Sequence, residues 1–175
     1  MKIPIIGTGL SGLVGSRIVE LLSDKYQFED ISLATGIDIT DKPAVLMVVQ
    51  KNQADLILHL AAMTDVDRCE KDKLSGENGD AWKINVNGTQ NIVDAAESFN
   101  KKVLYISTDF VFDGNADFYT EDDQPNPINW YAQTKYEGEK IVLQQPKNLV
   151  IRIAYPYRKE FDQKKHDIEY KEGLH

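Results

Sequence analysis

The opening of the chain constrains its fold more than any other stretch. Ile3-Pro4-Ile5-Ile6 is a short apolar run, glycines stand at 7, 9, 12 and 15, and Leu13, Val14, Ile18, Val19, Leu21 and Leu22 recur at helical spacing. Strand, glycine turn and helix together open a dinucleotide-binding α/β domain. Glycine lets backbone N–H groups approach a pyrophosphate, and the helix N-terminus adds a positive dipole. Two glycine registers compete: Gly7-x-Gly9-x-x-Gly12, the general fingerprint, and Gly9-x-x-Gly12-x-x-Gly15 with Thr8 ahead of it. The second makes Gly9, Leu10, Ser11, Gly12, Leu13 and Gly15 the expected cofactor-binding residues.

The same alternation continues down the chain. Apolar runs at 31–34, 56–60, 102–107 and 150–153 read as strands, and residues 42–51, 82–99 and about 130–143 read as helices. Leu56-Ile57-Leu58-His59-Leu60 is nearly continuous in apolar residues, which suits a parallel strand covered on both faces. His59 is therefore expected to be a core histidine rather than a base. Asp41 is an expected N-cap, with Pro43 in the first helical turn. Residues 74–79 read as a loop. Residues 109–129 carry Pro125 and Pro127 and form a long connection suited to covering a substrate. The predicted fold is an α/β, doubly wound parallel sheet of about five strands, a Rossmann-like domain over residues 1–155, followed by a charged tail at 156–175.

The net charge is −8 and the pI about 4.9, which argues against nucleic acid as a partner, because phosphate binding wants a basic patch. A single cysteine, Cys69, cannot form an internal disulfide, and a reducing cytoplasm is the simplest compartment. No apolar stretch has the length of a membrane span. No metal site is expected.

The chemistry concentrates at 107–135. Tyr131 and Lys135 are four apart and share a helix face. An ammonium beside a phenol favours the phenolate, so Lys135 is expected to lower the Tyr131 pKa and make it a usable acid or base. Thr108 ends the 102–107 strand, where its hydroxyl would meet the substrate oxygen that Tyr131 protonates. In and just after the 31–34 strand stand Ser32 and Thr35, with no acid from there until Asp38 to read a ribose 2′-hydroxyl and no arginine to read a 2′-phosphate. The cofactor is thus expected to be NADP or NAD, with a lean to NADP.

Ser107-Thr108-Asp109-Phe110-Val111-Phe112 and Tyr131-Ala132-Gln133-Thr134-Lys135, placed after the glycine turn in this order, resemble the extended short-chain dehydrogenase/reductase family. Within it the chain is similar to the dTDP-4-dehydrorhamnose reductases, although Phe110 and Ala132 replace a Tyr and a Gly of their pattern. The resemblance prefers the Gly9-Gly12-Gly15 register. It implies hydride transfer from a nicotinamide to a nucleotide-linked 4-keto sugar, with Tyr131, Lys135 and Thr108 catalytic. It also implies that Asn85 supports the active-site backbone and a water relay, that Asp38 and Ile39 meet the adenine, and that Ala61, Ala62 and Thr64 line the nucleotide. Related reductases continue past residue 155 into a substrate domain that this chain is expected to lack, so activity of the short form is expected to be poor. The apolar edge near Ile151 makes a homodimer plausible. Two rivals stand beside this reading: an epimerase of the same family, and a non-catalytic nucleotide-binding subunit resembling the methionine adenosyltransferase β subunit.

Overall fold

The structure, a computed structural model, describes residues 1–157; the charged tail lies outside the described residues from position 158 on. Five strands form one wholly parallel sheet: β1 (Ile3–Thr8), β2 (Tyr26–Ile31), β3 (Leu56–His59), β4 (Lys102–Thr108) and β5 (Leu149–Ile153), in the order β2-β1-β3-β4-β5. The chain leaves β1 to one side for β2 and crosses to the other side for β3. That reversal opens a crevice at the carboxyl ends of β1 and β3, the place where doubly wound sheets bind ligands.

Helices cover both faces. Helix α1 (Leu13–Leu22) brings Ile18 and Val19 onto Ile5, Leu10 and Leu58. The opposite face carries the larger core, in which α2 (Lys42–Lys51) and α5 (Thr89–Ser98) pack Val45, Val49, Ile92, Val93 and Ala96 around Ile6, Ile31, Ile57 and Val103. Alternation along the pleat divides the strands' side chains: Ile5 and Leu58 go to one face, Ile6 and Ile57 to the other. Helix α6 (Trp130–Val142) runs beside α5 and completes this layer. On the α1 side the β5 residues Leu149 and Ile151 stay exposed.

Two short helices precede α5: α3 (Val66–Asp72) and α4 (Asp80–Trp82). The helix expected at 82–99 therefore begins earlier, and a π-helical segment, Lys83–Gly88, joins α4 to α5. In place of the loop expected at 74–79, Lys73–Asn78 is a 3₁₀ stretch broken by Gly76 at φ 53°, and Gly79 is its extended C-cap. Asp41 caps α2 as expected, its carboxylate accepting from the Ala44 amide at 3.1 Å, with Pro43 in the first turn.

The second strand corrects the sequence reading. It lies at Tyr26–Ile31, not at 31–34, and Leu33–Thr35 is a 3₁₀ turn. The reason is position. An edge strand shows one side to solvent and alternates, Tyr26 and Phe28 packing while Gln27 and Glu29 are exposed. A search for a continuous apolar run passes over such a strand.

Candidate active site

The glycine turn sits where β1 meets β3. Gly9 has φ +67°, and a Cβ there would fall 2.7 Å from the Ala61 backbone nitrogen. Its left-handed backbone and this close approach both require glycine. The Gly12 amide donates to the Gly9 carbonyl at 3.1 Å, and Gly12 is the N-cap of α1. A Cβ on Gly15 would strike the Gly9 carbonyl and the Leu10 backbone. Gly9, Gly12 and Gly15 thus act as turn, cap and close-packing residue, whereas Gly7 belongs to β1 under the Leu10 side chain. No side chain caps α1, so its first turn presents amides to an anion. Leu10 is 7% exposed, in the core, and offers a ligand only backbone; Ser11 is exposed and Leu13 half-buried at the same turn.

Moving β2 brings in an acid that the sequence reading missed. Asp30 pairs with Gly7 near the carboxyl end of β2, and its Oδ2 accepts from Ser32 Oγ at 2.6 Å. Its Oδ1 is buried without a hydrogen-bond partner among the described residues. This is where a dinucleotide fold places the carboxylate for a ribose hydroxyl, about 20 residues past the glycines. The missed signal was the spacing itself, hidden by the displaced strand. Asp38 is exposed and closes a local turn, accepting from the Thr40 amide and hydroxyl at 2.8 Å each. Ile39 does not line a free surface: it is 7% exposed, in the core, its side chain fills the place that a Cβ on Gly88 would take, and its carbonyl accepts from Asn91 Nδ2 at 2.9 Å.

Ala61 and Ala62 are half-buried after β3, and Thr64 is exposed. Between them Met63 is clamped by Asn85: its amide donates to Asn85 Oδ1 at 2.8 Å and its carbonyl accepts from Asn85 Nδ2 at 3.1 Å. Asn85 Nδ2 also donates to Thr134 Oγ1 at 2.9 Å, and Thr134 Oγ1 donates to the Tyr131 carbonyl at 2.8 Å. Asn85 is fully buried in the π-helical segment, so it is not a surface residue. Its side chain holds the Met63 backbone, and none of these hydrogen bonds goes to the Tyr131 phenol or the Lys135 ammonium. A π-helical turn commonly marks a functional site.

Thr108, Tyr131 and Lys135 come together at the carboxyl end of β4. Thr108 is 7% exposed; its Oγ1 donates to Asp109 Oδ1 at 3.2 Å and accepts from the Phe110 amide at 3.2 Å. Tyr131 opens α6, whose N-cap Asn129 accepts from the Ala132 amide at 2.8 Å. Glu70 adds a second tie, accepting from the Trp130 amide at 2.8 Å. Phe110 meets the Tyr131 ring edge-on at 6.2 Å and Tyr155 at 5.7 Å.

The electrostatics reverse one expectation. Burial raises the Tyr131 pKa above the usual phenol value, and the nearby Thr108 hydroxyl only partly offsets this. The Lys135 ammonium does not lower it. Lys135 is 2% exposed, donates to the Ile106 carbonyl at 2.8 Å and lies 4.0 Å from the centre of the Tyr105 ring. Desolvation brings its own pKa down to about 7, against a smaller opposing pull from Glu139. Both groups favour their neutral forms because both are withdrawn from water.

The 109–129 connection is ordered around Asp113. Tyr119 Oη donates to Asp113 Oδ1 at 2.6 Å, the Asn115 amide to the same oxygen at 3.0 Å, and Asn126 Nδ2 to Oδ2 at 3.0 Å. These three bonds hold the Asp113 carboxyl far below the usual range. Phe112 stacks on Tyr119 at 4.3 Å, and Arg152 lies over its ring at 4.9 Å while forking onto buried Glu139 at 2.9 and 2.7 Å. The loop is thereby fastened to β5 and α6.

His59 is a core residue, as expected. It is fully buried, with Nδ1 2.7 Å from Thr8 Oγ1 and Nε2 3.0 Å from Thr89 Oγ1. Among the described residues no helix is long and apolar enough to cross a membrane.

Known proteins are similar to this chain. The dTDP-4-dehydrorhamnose reductase of Aggregatibacter actinomycetemcomitans is 33% identical over 86% of this chain and 50% of its own length. The methionine adenosyltransferase 2 subunit beta of Bos taurus is 35% identical over 87% of this chain and 47% of its own. The crystal structure of dTDP-4-dehydrorhamnose reductase from Bacillus anthracis in complex with NADP superposes with a TM-score of 0.81 at 35% identity, over 90% of this chain and 55% of that one. The chain spans about half the length of these relatives. The family model described as RmlD substrate binding domain matches residues 1–167, and the chain belongs to that family.

Proposed function

We propose that this chain is the nucleotide-binding and proton-donating part of an NADP(H)- or NAD(H)-dependent oxidoreductase that reduces the keto group of a nucleotide-linked 4-keto-6-deoxysugar. One observation carries the reading. Tyr131, Thr108 and Lys135 converge at the end of β4, beside a crevice whose glycine turn, uncapped helix and half-buried carboxylate suit a dinucleotide. Gly9, Gly12 and the first turn of α1 would hold the pyrophosphate, Asp30 a ribose hydroxyl, and Ala61 and Ala62 the nucleotide's face. The nicotinamide, when bound, supplies the hydride. The chain's own part is acid catalysis and orientation. Tyr131, kept protonated at neutral pH by its raised pKa, donates its proton to the carbonyl oxygen. Thr108 holds that oxygen, and Lys135 anchors the Tyr131 helix to β4 through its bond to the Ile106 carbonyl. The partner is a nucleotide sugar, the assembly a homodimer and the compartment the cytoplasm. Residues 1–155 are the dinucleotide domain.

The test is calorimetric titration with NADPH and NADH, followed by cofactor oxidation with a dTDP-4-keto-6-deoxysugar. Tyr131→Phe is expected to abolish turnover and leave cofactor affinity nearly unchanged. No binding of either cofactor, or retained turnover in Tyr131→Phe, overturns the reading. A second reading, a nucleotide-binding subunit without turnover, draws support from the 35% identity to the bovine adenosyltransferase subunit. It requires cofactor binding with no oxidation.

A further inference from the structure

The hydrogen bonds through buried His59 all run one way. Thr8 Oγ1 accepts from the amides of Leu60 at 3.2 Å and Ala61 at 3.0 Å, which leaves its own proton for His59 Nδ1 at 2.7 Å. On the far side Thr89 Oγ1 donates to the Asn85 carbonyl at 2.7 Å, which leaves its lone pair for the His59 Nε2–H at 3.0 Å. Both ends independently require the neutral Nε2–H tautomer. Burial and the nearby Lys135 charge agree, holding the imidazole pKa down to about 3. Asn85 is the joint between two stretches: its main-chain carbonyl takes the Thr89 bond, and its side-chain Nδ2 donates onward to Thr134 Oγ1, which donates to the Tyr131 carbonyl. The chain therefore starts at the Ala61 amide, against Gly9 at the crevice, and ends on the helical turn that bears Tyr131.

We propose that His59 is a positioning residue: at the centre of this one-way chain, it couples occupancy of the dinucleotide crevice to the placement of the Tyr131 turn. The inference rests on the nucleotide-binding reading above. Polar groups in a buried network polarise and hold one another, so a shift at one end is resisted or passed on rather than absorbed. His59 suits the task because its two ring nitrogens face opposite ways and bridge β1 to α5 in one rigid plane. An apolar side chain of similar size would fill the space but leave the Thr8 and Thr89 hydroxyls without their partner.

The experiment is ¹⁵N NMR of the imidazole in the wild-type chain, with and without NADPH, beside calorimetry of His59→Leu and Thr134→Val. The expected spectrum is a neutral Nε2–H ring from pH 5 to 8, whose nitrogen shifts move when NADPH binds even though the ring is fully buried. His59→Leu removes both of its hydrogen bonds and is expected to weaken NADPH about tenfold. Thr134→Val, far along the chain, is expected to weaken it severalfold, and the double variant less than the product. An Nδ1–H or charged ring overturns the proposal. So do ring shifts indifferent to bound NADPH, and so does wild-type affinity in both folded variants. If NADPH fails to bind the wild-type chain, the nucleotide-binding reading itself falls instead.

Discussion

Lys135→Met should make the cofactor-free chain more stable while destroying its proposed chemistry. Lys135 is 2% exposed, and desolvation lowers its pKa from 10.5 to about 7. Between these values the unfolded chain binds the proton and the native chain does not. Stability therefore rises with pH through that window, and the full penalty applies below pH 7. At pH 7 about three pKa units separate the states, a cost on the order of 4 kcal/mol at about 1.4 kcal/mol per unit. Methionine removes that cost. It also loses the hydrogen bond to Ile106, worth about 1 kcal/mol, and the contact with the Tyr105 ring, worth about 1 kcal/mol. A net gain of about 2 kcal/mol remains, or about 4–8 °C in Tm for a chain of this size. Urea unfolding of both forms at pH 6.5, 8 and 10 measures it. The expected result is a stabilised variant whose advantage shrinks as pH rises. A variant less stable at pH 7, or an advantage constant across pH, would refute the reasoning.

Further perturbations follow from the site and its supports. Asp30→Ala should weaken NADH more than NADPH, because the carboxylate is placed for a ribose hydroxyl; calorimetry with both cofactors checks it, and equal losses would remove Asp30 from the site. Glu139→Ala leaves the Arg152 guanidinium without its forked partner and should cost about 3–5 kcal/mol by chemical denaturation. Because its hydrogen bonds hold the Asp113 carboxyl low, the loop's contribution to stability should persist as pH falls to 4 and fade only below; loop amide exchange at pH 4 and 7 reports this. Ile57→Ala, in the centre of the sheet, should cost about 2–5 kcal/mol by the same denaturation assay.

The sheet's central strands were legible because burial on both faces leaves apolar runs. Ile3 to Ile6, Leu56 to Leu60 and the run before Thr108 all appear at their expected places. The edge strand β2 was not legible, since Tyr26 and Phe28 alternate with Gln27 and Glu29, and with it went Asp30. Gly9 and Gly15 were legible because few residues tolerate a positive φ or a backbone at 2.7 Å or nearer. Tyr131, Lys135 and Thr108 were legible as a pattern, but their electrostatics were not. Spacing put an ammonium on the same face as a phenol, while the fold turned Lys135 onto the Ile106 carbonyl and buried both groups. The network through His59, Thr89 and Asn85 joins residues distant in sequence, and no local pattern announces it.

The π-helical segment at Lys83–Gly88 has a consequence for rotation. One extra residue in a helical turn advances the phase of everything after it by about 100°. Helix α4 can therefore aim Ala81 at Met63 and Cys69 and stack Trp82 on Trp130 at 5.7 Å, while α5 aims Ile92, Val93 and Ala96 at the sheet. A regular α-helix would satisfy one of these partners and turn the other set toward the wrong neighbour. The segment works as a clutch between two rotational settings of a single rod. Removing one residue from 83–88 should swing the Trp82 end away from Trp130 by about a quarter turn while α5 stays seated.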